Sequence, residues 1–167
     1  MGSPASVPVD GNTKVSILSA VADPAAVTVP EAVAGKDISC YLTSDGWAPA
    51  GDQGSITDSR LCSTQDFEQP GRKTGVGLTV RYVFNLDEPT DDEARLALAE
   101  GTKGYAIKRT QKPNEDDFET GDWYELWPFT AGEQKVLPPE ANAVDRIEQK
   151  LFITGPVQRF KQLVAGA

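Results

Sequence analysis

The chain has 167 residues, which is enough for one domain with a hydrophobic core and short for two. Its formal net charge is −9, from 25 acidic and 16 basic residues, and this argues against a nucleic-acid-binding protein, because such binding depends on Lys and Arg that neutralise phosphates. Histidine is absent, so the most frequent general base and metal ligand are both missing. No segment has the roughly 20 consecutive apolar residues of a membrane-spanning helix. We therefore expect no metal, no cofactor and no membrane partner.

The N-terminal residues 1–12 are rich in Pro, Gly and Ser, and they predict an extended arm. A first strand follows this arm, and in it Val15, Ile17 and Ser19 share one face. We assign residues 1–34 to the arm and first strand, and residues 35–167 to a β-rich body, within a single domain overall.

Period-two alternation, which is typical of half-buried strands, dominates the chain after residue 35. A short run at Ile38, Cys40 and Leu42 is expected to end at a turn over residues 44–46. In the clearest run, over residues 75–85, alternate positions form one apolar face: Val76, Leu78, Val80, Tyr82 and Phe84. Gln-Pro-Gly-Arg at residues 69–72 is typical of a turn, so we predict a hairpin between residues 61–68 and this run.

The two cysteines, Cys40 and Cys62, are too few for a disulfide scaffold. They do not form a CxxC pair, so neither zinc binding nor redox chemistry is indicated. We expect both to be buried free thiols, and their spacing leaves open whether they touch.

One segment predicts a helix, and it begins with a capping-box pattern. Thr90 is placed to cap the first turn, and Glu93 is placed to return a hydrogen bond to it. A small apolar stripe follows at Ala94, Ala97 and Leu98. Gly101 is positioned to end the helix, which gives it about three turns.

Alternation resumes at residues 105–109 and 123–129, and the acidic residues 111–122 between them predict a long polar hairpin loop. Two strands close the chain, the first at residues 134–137. In the second, the apolar positions are Ile147, Leu151 and Ile153, and the charged positions are Arg146, Glu148 and Lys150. Pro156 predicts a bend or a sheet edge. The pattern therefore favours a mainly β sandwich or barrel with one short helix on its flank.

Carboxylates offer the remaining route to an enzyme, because two of them are sufficient for glycoside hydrolysis. Asp116 and Asp117 are adjacent, which on an extended chain points them to opposite faces. Asp91 and Asp92 lie at the predicted helix start, where a structural role already explains them. We expect that the protein is not an enzyme. The alternative is an enzyme whose two carboxylates are distant in the sequence and meet in a concave pocket.

Three tryptophans suggest a second alternative, a carbohydrate-binding surface, because exposed aromatic rings stack on sugars. Trp123 and Trp127 share a predicted strand face that Phe129 continues. Rows of this kind are more often core or subunit interface.

An ordered set of segments resembles the major tail proteins, or tail-tube proteins, of siphophages of actinobacteria. Residues 37–47 (DISCYLTSDGW) are similar to the opening strand of that family. Residues 58–62 (DSRLC), followed by residues 67–71 (FEQPG), are similar to its next segment. The hairpin strand, the capped acidic helix and a terminal strand with a short Ala/Gly tail follow in the family's order. The resemblance covers residues 35–165.

The resemblance implies a β-sandwich with a flanking helix that assembles into hexameric rings. These rings would stack into the phage tail tube and form an acidic conduit for genome ejection. It implies a virion protein that is assembled in the host cytoplasm. Its expected partners are further copies of itself, the tape-measure protein, and the tail-terminator and distal-tail proteins, while phage DNA passes through without specific binding.

The sequence itself fits such assembly in two respects. Long amphipathic strands with few edge-protecting residues would aggregate in a monomer, but they suit edges that pair between subunits. An acidic wall also suits a conduit for DNA, because negative side chains do not retain the phosphates. The main alternative is an immunoglobulin-like or carbohydrate-binding β-sandwich module, which would stay monomeric and bind saccharides through Trp123 or Trp127.

Three groups of residues receive roles under this interpretation. Candidates for sheet core and self-assembly are Val76, Leu78, Val80, Tyr82, Phe84, Ile147, Leu151 and Ile153. Candidates for inter-ring contact are the arm within residues 1–34 and the loop residues Glu115, Asp116, Asp117 and Glu119. Arg146, Glu148 and Lys150 are expected to face either the lumen or the exterior.

Overall fold

A computed structural model describes residues 2–166 and gives a mainly β chain, in which one antiparallel sheet of eight strands curls into a half-barrel. The strands are β1 (Thr13–Leu18), β2 (Lys36–Asp37), β3 (Leu42–Asp58), β4 (Phe67–Val83), β5 (Lys103–Thr110), β6 (Trp123–Val136), β7 (Arg146–Ile153) and β8 (Gln158–Gln162). The helices are α1 (Val29–Val33) and α2 (Glu93–Ala97). The strand order is β2-β1-β5-β6-β7-β4-β3, and β8 pairs with the first half of β6. The expected mainly β, barrel-like fold is confirmed, with two short helices where one was predicted.

The curled sheet separates two hydrophobic clusters, one on each face. The larger cluster combines apolar residues of β4 and β7 with Ala94 and Leu98 around α2. The smaller cluster lies under α1 and the C-terminal segment and contains Val27, Ala32, Phe118 and Leu163. Strand β6 contributes to both, because successive strand residues point to opposite faces. Its residues Tyr124 and Leu126 lie in the smaller cluster, and Trp127 and Phe129 lie in the larger one.

The predicted apolar positions of β4 and β7 are buried to different extents. Leu78, Val80, Tyr82, Ile147 and Leu151 are buried, Phe84 and Ile153 are partly buried, and Val76 is 38% exposed. Val76 lies outside the packed layer because β7 pairs with β4 only from Gly77 onward. Val76 is therefore not a core residue.

The hairpin that contains β3 and β4 differs from the prediction. Both strands are 17 residues long, and residues 59–66 connect them, so the Gln-Pro-Gly-Arg segment at residues 69–72 lies inside β4 and makes no turn. Pro70 is opposite Ser55 next to a register shift, which is how the strand accommodates it. Residues 44–46 also lie within β3, in the irregular stretch between the paired residues Leu42 and Trp47.

The capping box belongs to α1 and is absent from α2. The Thr28 N–H donates to Glu31 Oε2 at 2.9 Å, and the Glu31 N–H donates back to Thr28 Oγ1 at 3.4 Å. Helix α2 has five residues, and its N-cap Asp92 makes no capping bond; Asp92 pairs with Arg95 instead. The prediction that Thr90 caps a helix of three turns is therefore wrong, because the Asp92–Arg95 ion pair and the packing of Ala94 fix this segment.

Buried polar groups hold the end of α2 against the sheet. The Gln149 side chain donates from Nε2 to Leu98 O at 2.7 Å and to Gly132 O at 2.9 Å. The Tyr82 hydroxyl donates to Gln149 Oε1 at 2.9 Å and accepts from Gln134 Nε2 at 2.9 Å. Gln134 also donates to Arg95 O. These bonds satisfy carbonyls that a short helix leaves without intrahelical partners.

Both cysteines are free and exposed, so the expectation of buried thiols is wrong. Cys40 lies in the turn after β2, and Cys62 lies in the loop that connects β3 to β4. Turns and connecting loops run over the surface, and this explains the exposure of both thiols.

Candidate functional site: the assembly surfaces

The outer part of the β3–β4 hairpin, residues 50–76, is named here the distal ribbon. Its two strands pair with each other, but β7 covers β4 only over Gly77–Val83, so the distal ribbon has no third strand among the described residues. Nearly all of its side chains are exposed, and they include four large apolar ones, at Ile56, Leu61, Phe67 and Val76. At the usual rise per strand residue, it extends for about 30 Å. A two-stranded ribbon alone is marginally stable in water, so this element is suited to contact with a further surface.

Ile56 and Phe67 lie on one face of the distal ribbon. Ile56 is opposite Gln69 and Phe67 is opposite Asp58, so the two apolar side chains are diagonal neighbours across the strands. They are 57% and 60% exposed. Thr57 and Glu68 form the next pair and point to the other face. Near its tip, one face of the distal ribbon therefore carries both apolar side chains beside Asp58 and Gln69 and is named here the apolar ribbon face, and the other face is polar.

The distal ribbon joins the body through a bulge. Ala50 is opposite Gly77 and Asp52 is opposite Thr74, so one residue of β3 faces two residues of β4, Gly75 and Val76. Gly75 has φ +64°, in the left-handed region that glycine adopts without a steric penalty. A bulge at this level ends the regular sheet and begins the free ribbon.

A cleft of about 890 Å³ lies between the base of the distal ribbon and the chain that joins β7 to β8. Its apolar lining includes Pro49, Val76, Ile153 and Val157. Its charged lining consists of Asp52, Lys73 and Arg159. The strand β8 pairs on one side with β6, and within residues 2–166 no strand pairs with its other side. Of β8, only Arg159 lines the cleft, and the base of the distal ribbon contributes residues of both β3 and β4.

The acidic loop, residues 111–122, closes over a buried cation. Arg109 is 1% exposed, and its guanidinium donates to the carbonyl oxygens of Pro113 at 2.7 Å, Asp116 at 3.0 Å and Asp117 at 2.8 Å. It also pairs with the buried Asp122 carboxylate at 3.2 Å. The side chains of Glu115, Asp116, Asp117 and Glu119 point to solvent. The predicted polar loop is thus a fixed platform that displays four carboxylates.

The Asp122 carboxyl anchors this platform in its charged form. Burial acts to raise its pKa, but hydrogen bonds from Lys112, the Glu119 N–H and Arg109 outweigh burial and hold the pKa below its ordinary value. Phe118 packs beneath the loop, and its ring centroid lies 5.3 Å from the Arg109 guanidinium and 5.7 Å from Lys14 Nζ. Sequence reasoning did not assign a role to Arg109, because its position in an alternating strand gives no sign that the following loop folds over it.

The charged residues of β7 project from the sheet face opposite the larger cluster. Glu148 accepts from Arg81 Nε at 2.7 Å, and Arg81 also pairs with Asp45 at 3.0 Å. Arg146 pairs with Glu140 at 3.2 Å, and Lys150 Nζ lies 5.1 Å from the centroid of the Phe152 ring. Most charges on this uncovered face are therefore compensated within the chain, and the acidic surplus of the protein lies elsewhere, mainly in residues 86–100 and 111–122.

The tryptophans do not form an exposed row. Trp127 is 1% exposed and packs edge-on against Trp47, with ring centroids 6.2 Å apart, and the Arg159 guanidinium lies over its ring. Trp123 is 58% exposed. Because only one of the two rings is accessible, the aromatic platform of a sugar-binding surface is not present at this strand.

Two further observations concern ligands and membranes. Over residues 2–166, there is no cluster of three or more Cys, Asp and Glu side chains with the spacing of a metal site. In the same residues, neither helix has the length and apolar character needed to cross a membrane.

A mainly β chain with a projecting ribbon, unpaired strand edges and a displayed acidic platform has the features of a structural building block. The sequence profile of the family described as phage tail tube protein matches residues 1–166, and the chain belongs to this family. It is thus a structural protein of the phage tail and not an enzyme, as the sequence resemblance implied. The tail-tube assignment also makes it a component of the virion tail.

Solved structures share this fold at low sequence identity. A chain in the sheath/tube terminator of an extracellular contractile injection system (PVC, extended state) is 14% identical, with a TM-score of 0.55, over 94% of this chain and 98% of that one. A chain in the 6-fold symmetrised baseplate of the anti-feeding prophage is 12% identical, with a TM-score of 0.51, over 100% of both chains. No curated protein matches the sequence.

Proposed function

We propose that six copies of this chain close into a ring and that rings stack into the tail tube, the conduit for genome ejection. The observation that carries the proposal is the distal ribbon, which exposes Ile56 and Phe67 and lacks a third strand. A free strand edge of this length promotes aggregation in a protein that works alone, but it serves a protein that completes its sheets with its own copies. The sixfold symmetry of the anti-feeding prophage baseplate supports the ring number.

The proposal assigns the contacts between rings to three elements. The distal ribbon supplies apolar contact, the acidic loop supplies Glu115, Asp116, Asp117 and Glu119, and the N-terminal arm supplies a flexible connection. Charges at the rim of an interface set orientation and register more than affinity, which suits carboxylates on a fixed platform. The buried positions Leu78, Val80, Tyr82, Ile147 and Leu151 serve the body that carries these surfaces, with Phe84 and Ile153 at its margin.

The net charge of −9 supports an acidic conduit, because phosphates are not retained by a negative wall and DNA passes without specific binding. The uncovered face with Arg146, Glu148 and Lys150 faces either the lumen or the exterior. Labelling a Lys150→Cys variant of assembled tubes with a bulky maleimide distinguishes the two. Labelling as fast as in monomers indicates the exterior, and strong protection indicates the lumen. The native Cys40 and Cys62 are replaced by Ser in this experiment.

The partners in the proposal are further copies of the chain, the tape-measure protein inside the tube, and terminator and distal-tail proteins at its two ends. Assembly takes place in the host cytoplasm. Electron microscopy and sedimentation of purified protein at rising concentration test the central claim. Rings or cylinders are expected, and a strictly monomeric protein at every concentration and salt would refute it.

A matched pair of variants tests the role of the distal ribbon. Ile56→Asp places a charge on the apolar ribbon face, and Thr57→Asp places the same charge one residue away on the polar face. Both positions are exposed, so both variants should fold as monomers. We expect Ile56→Asp to abolish tubes and Thr57→Asp to retain them. Equal assembly of the two variants would remove the apolar ribbon face from the contact.

A further inference from the structure

We propose that the acidic loop of one copy docks, through the carboxylates of Glu115, Asp116 and Asp117, in the cleft at the base of the distal ribbon of a second copy. This inference rests on the proposed function, which supplies the second copy. It goes further by naming the surface that receives the acidic loop and the two cations of that surface, Lys73 and Arg159, that pair with the carboxylates.

The cleft has a local positive charge in a strongly acidic protein. Its charged lining is Lys73 and Arg159 against Asp52, whereas the chain as a whole has a net charge of −9. Neither cation has a carboxylate within 4.0 Å in the part of the chain that the structure describes. Like charges on one concave surface repel each other, so a ligand with negative charge stabilises the cleft.

Arg159 is held in position at the wall of the cleft. Its guanidinium lies 5.0 Å from the centroid of the Trp127 ring, which is a cation–π distance. The register of β8 against β6 shifts at this level, so Arg159 and Phe160 both lie opposite Glu125. Phe160 has φ +54°, a conformation that costs energy for a bulky residue. The fold therefore places this arginine at the cleft at the expense of backbone strain beside it.

The acidic loop has the complementary charge. Glu115, Asp116 and Asp117 are consecutive and exposed. Over residues 2–166, none of the three has a Lys or Arg side chain within 4.0 Å. The fourth carboxylate of the platform, Glu119, already pairs with Lys112 at 3.4 Å. The first three carboxylates are therefore the ones that cations of a second copy are able to neutralise.

The buried Arg109 fixes the backbone that carries these carboxylates. Its guanidinium binds the carbonyl oxygens of Asp116 and Asp117, and the Asn114 N–H donates to Gly11 O at 2.9 Å just before them. The donor segment is thus ordered in the monomer, and docking does not have to order a flexible loop. Preorganisation of this kind lowers the entropic cost of association.

The loop that enters the cleft belongs to another copy, because the loop of the same chain is held away from the cleft. Strand β8 separates the two: Gln162 pairs with Trp123 next to the loop, and Arg159, nearer the other end of β8, lines the cleft. No residue of the acidic loop lines the cleft of its own chain. Each copy therefore has one donor surface and one separate receptor surface, and such contacts link copies into rings or filaments.

Two charge reversals on β4 test the receptor. Lys73→Glu reverses a cation of the cleft, and Arg72→Glu makes the same change one residue away, outside the cleft lining. Both side chains are exposed, so both variants should fold as monomers. We expect Lys73→Glu to raise the protein concentration needed for tube formation by about tenfold, and Arg72→Glu to raise it by less than about twofold. Equal effects, in a preparation where the wild type assembles, would overturn the inference and leave the proposed tube intact.

A charge swap tests the donor. Lys73→Glu is combined with Asp116→Lys and Asp117→Lys, so that the cleft becomes negative and the docking segment positive. The control combines Lys73→Glu with Asp87→Lys and Glu88→Lys, which gives the same net charge but alters the acidic segment before α2. We expect the loop combination alone to restore assembly to nearly the wild-type concentration. Rescue by the control, or by neither combination, would exclude the acidic loop as the donor.

Zero-length crosslinking locates the contact in tubes of the wild-type protein. Isotopically light and heavy copies are mixed before assembly, and a carbodiimide then joins carboxylates to amines in direct contact. We expect Lys73 to be linked to residues 115–117 in light–heavy pairs, and only in assembled tubes. A link from Lys73 to a different segment, or no link in assembled tubes, refutes the proposed site, and failure of the wild type to assemble refutes the proposed function instead.

Discussion

Strands β3 and β4 each run from the body of the sheet into the distal ribbon, and their two halves lie in opposite environments. In the body half of β4, Leu78, Val80 and Tyr82 are at most 1% exposed. In the ribbon half, Phe67 is 60% exposed and the backbone pairs on one side only. Strand formation in this hairpin is therefore independent of burial, since the hydrogen-bond ladder continues where the hydrophobic core has ended.

This difference separates two tasks within one chain. The body gains stability from burial, so its substitutions should change the free energy of unfolding of the monomer. The distal ribbon buries little in the monomer, so its substitutions should change assembly and leave monomer stability almost unchanged. The following variants test this separation, beginning with the largest expected effect.

Arg109→Met should be the most destabilising of these variants. It leaves the carbonyls of Pro113, Asp116 and Asp117 without their donor beneath the acidic loop. We expect a loss of about 3–5 kcal/mol in the free energy of unfolding, measured by urea denaturation of the monomer. Arg60→Met, at the exposed tip of the hairpin, is the matched control and should give the wild-type denaturation midpoint. A similar loss in both variants would contradict the separation.

Leu151→Ala and Ile56→Ala compare a body position with a ribbon position. Leu151 is fully buried in β7, so its truncation creates a cavity and should lower the free energy of unfolding by about 2–5 kcal/mol. Ile56 is 57% exposed, and its truncation should change that free energy by less than about 0.5 kcal/mol. In sedimentation assays of tube formation under native conditions, we expect Ile56→Ala to have a larger effect than Leu151→Ala, because Ile56 lies in the proposed contact. A strongly destabilised Ile56→Ala monomer would show that the ribbon packs within its own chain.

Tyr82→Phe tests the polar contact between the sheet and α2. It removes the hydroxyl that bonds Gln149 and Gln134, with an expected loss of about 1–3 kcal/mol at neutral pH. Burial raises the pKa of Tyr82 to about 12, so the native state holds this proton where the unfolded chain loses it. The associated stability is complete below pH 10 and is lost as the pH rises to about 12. Denaturation across this range should show a shallower pH dependence for Tyr82→Phe, and identical slopes would contradict the assignment.

Thr28→Ala should have the smallest effect, about 1 kcal/mol, because it removes the hydroxyl that caps α1. Thr90→Ala has the same chemistry at the position where the sequence pattern was misleading, and it should give the wild-type melting temperature. Thermal unfolding of both variants provides the measurement. A larger decrease in melting temperature for Thr90→Ala than for Thr28→Ala would indicate that Thr90 caps α2, contrary to this structure.

The sequence was informative where a signal depended on immediate neighbours. Alternation over residues 75–85 marks one strand, and three of its positions are buried as an alternating strand requires. The capping-box pattern occurs twice in the sequence, and the prediction chose Thr90 and Glu93 and missed Thr28 and Glu31, where the structure has the capping box. Local sequence alone did not distinguish the two, because the packing of distant strands decides which turn is stabilised.

The remaining features depend on residues that are far apart in the sequence. Val76 is exposed because β7 ends opposite Gly77, and the length of β7 is not encoded near Val76. The Pro-Gly pair at residues 70–71 signals a turn, yet a partner strand with a register shift incorporates it into β4. Alternation places Arg109 on the strand face of the buried Ile107, but nothing near it in the sequence shows that the loop after it folds over its guanidinium. Burial of this kind depends on contacts that form only when the whole chain is folded.

The bulge at the base of the distal ribbon has a mechanical consequence. An element about 30 Å long acts as a lever, so a rotation of about 6° at the level of Gly75 displaces its tip by about 3 Å. Gly75 has no side chain to oppose small torsional changes there, and on the other strand Gly51 has none either. In the proposed tube, the contact made by the tip is therefore connected to the body through this bulge. The tube is able to bend while each contact at a ribbon tip is retained.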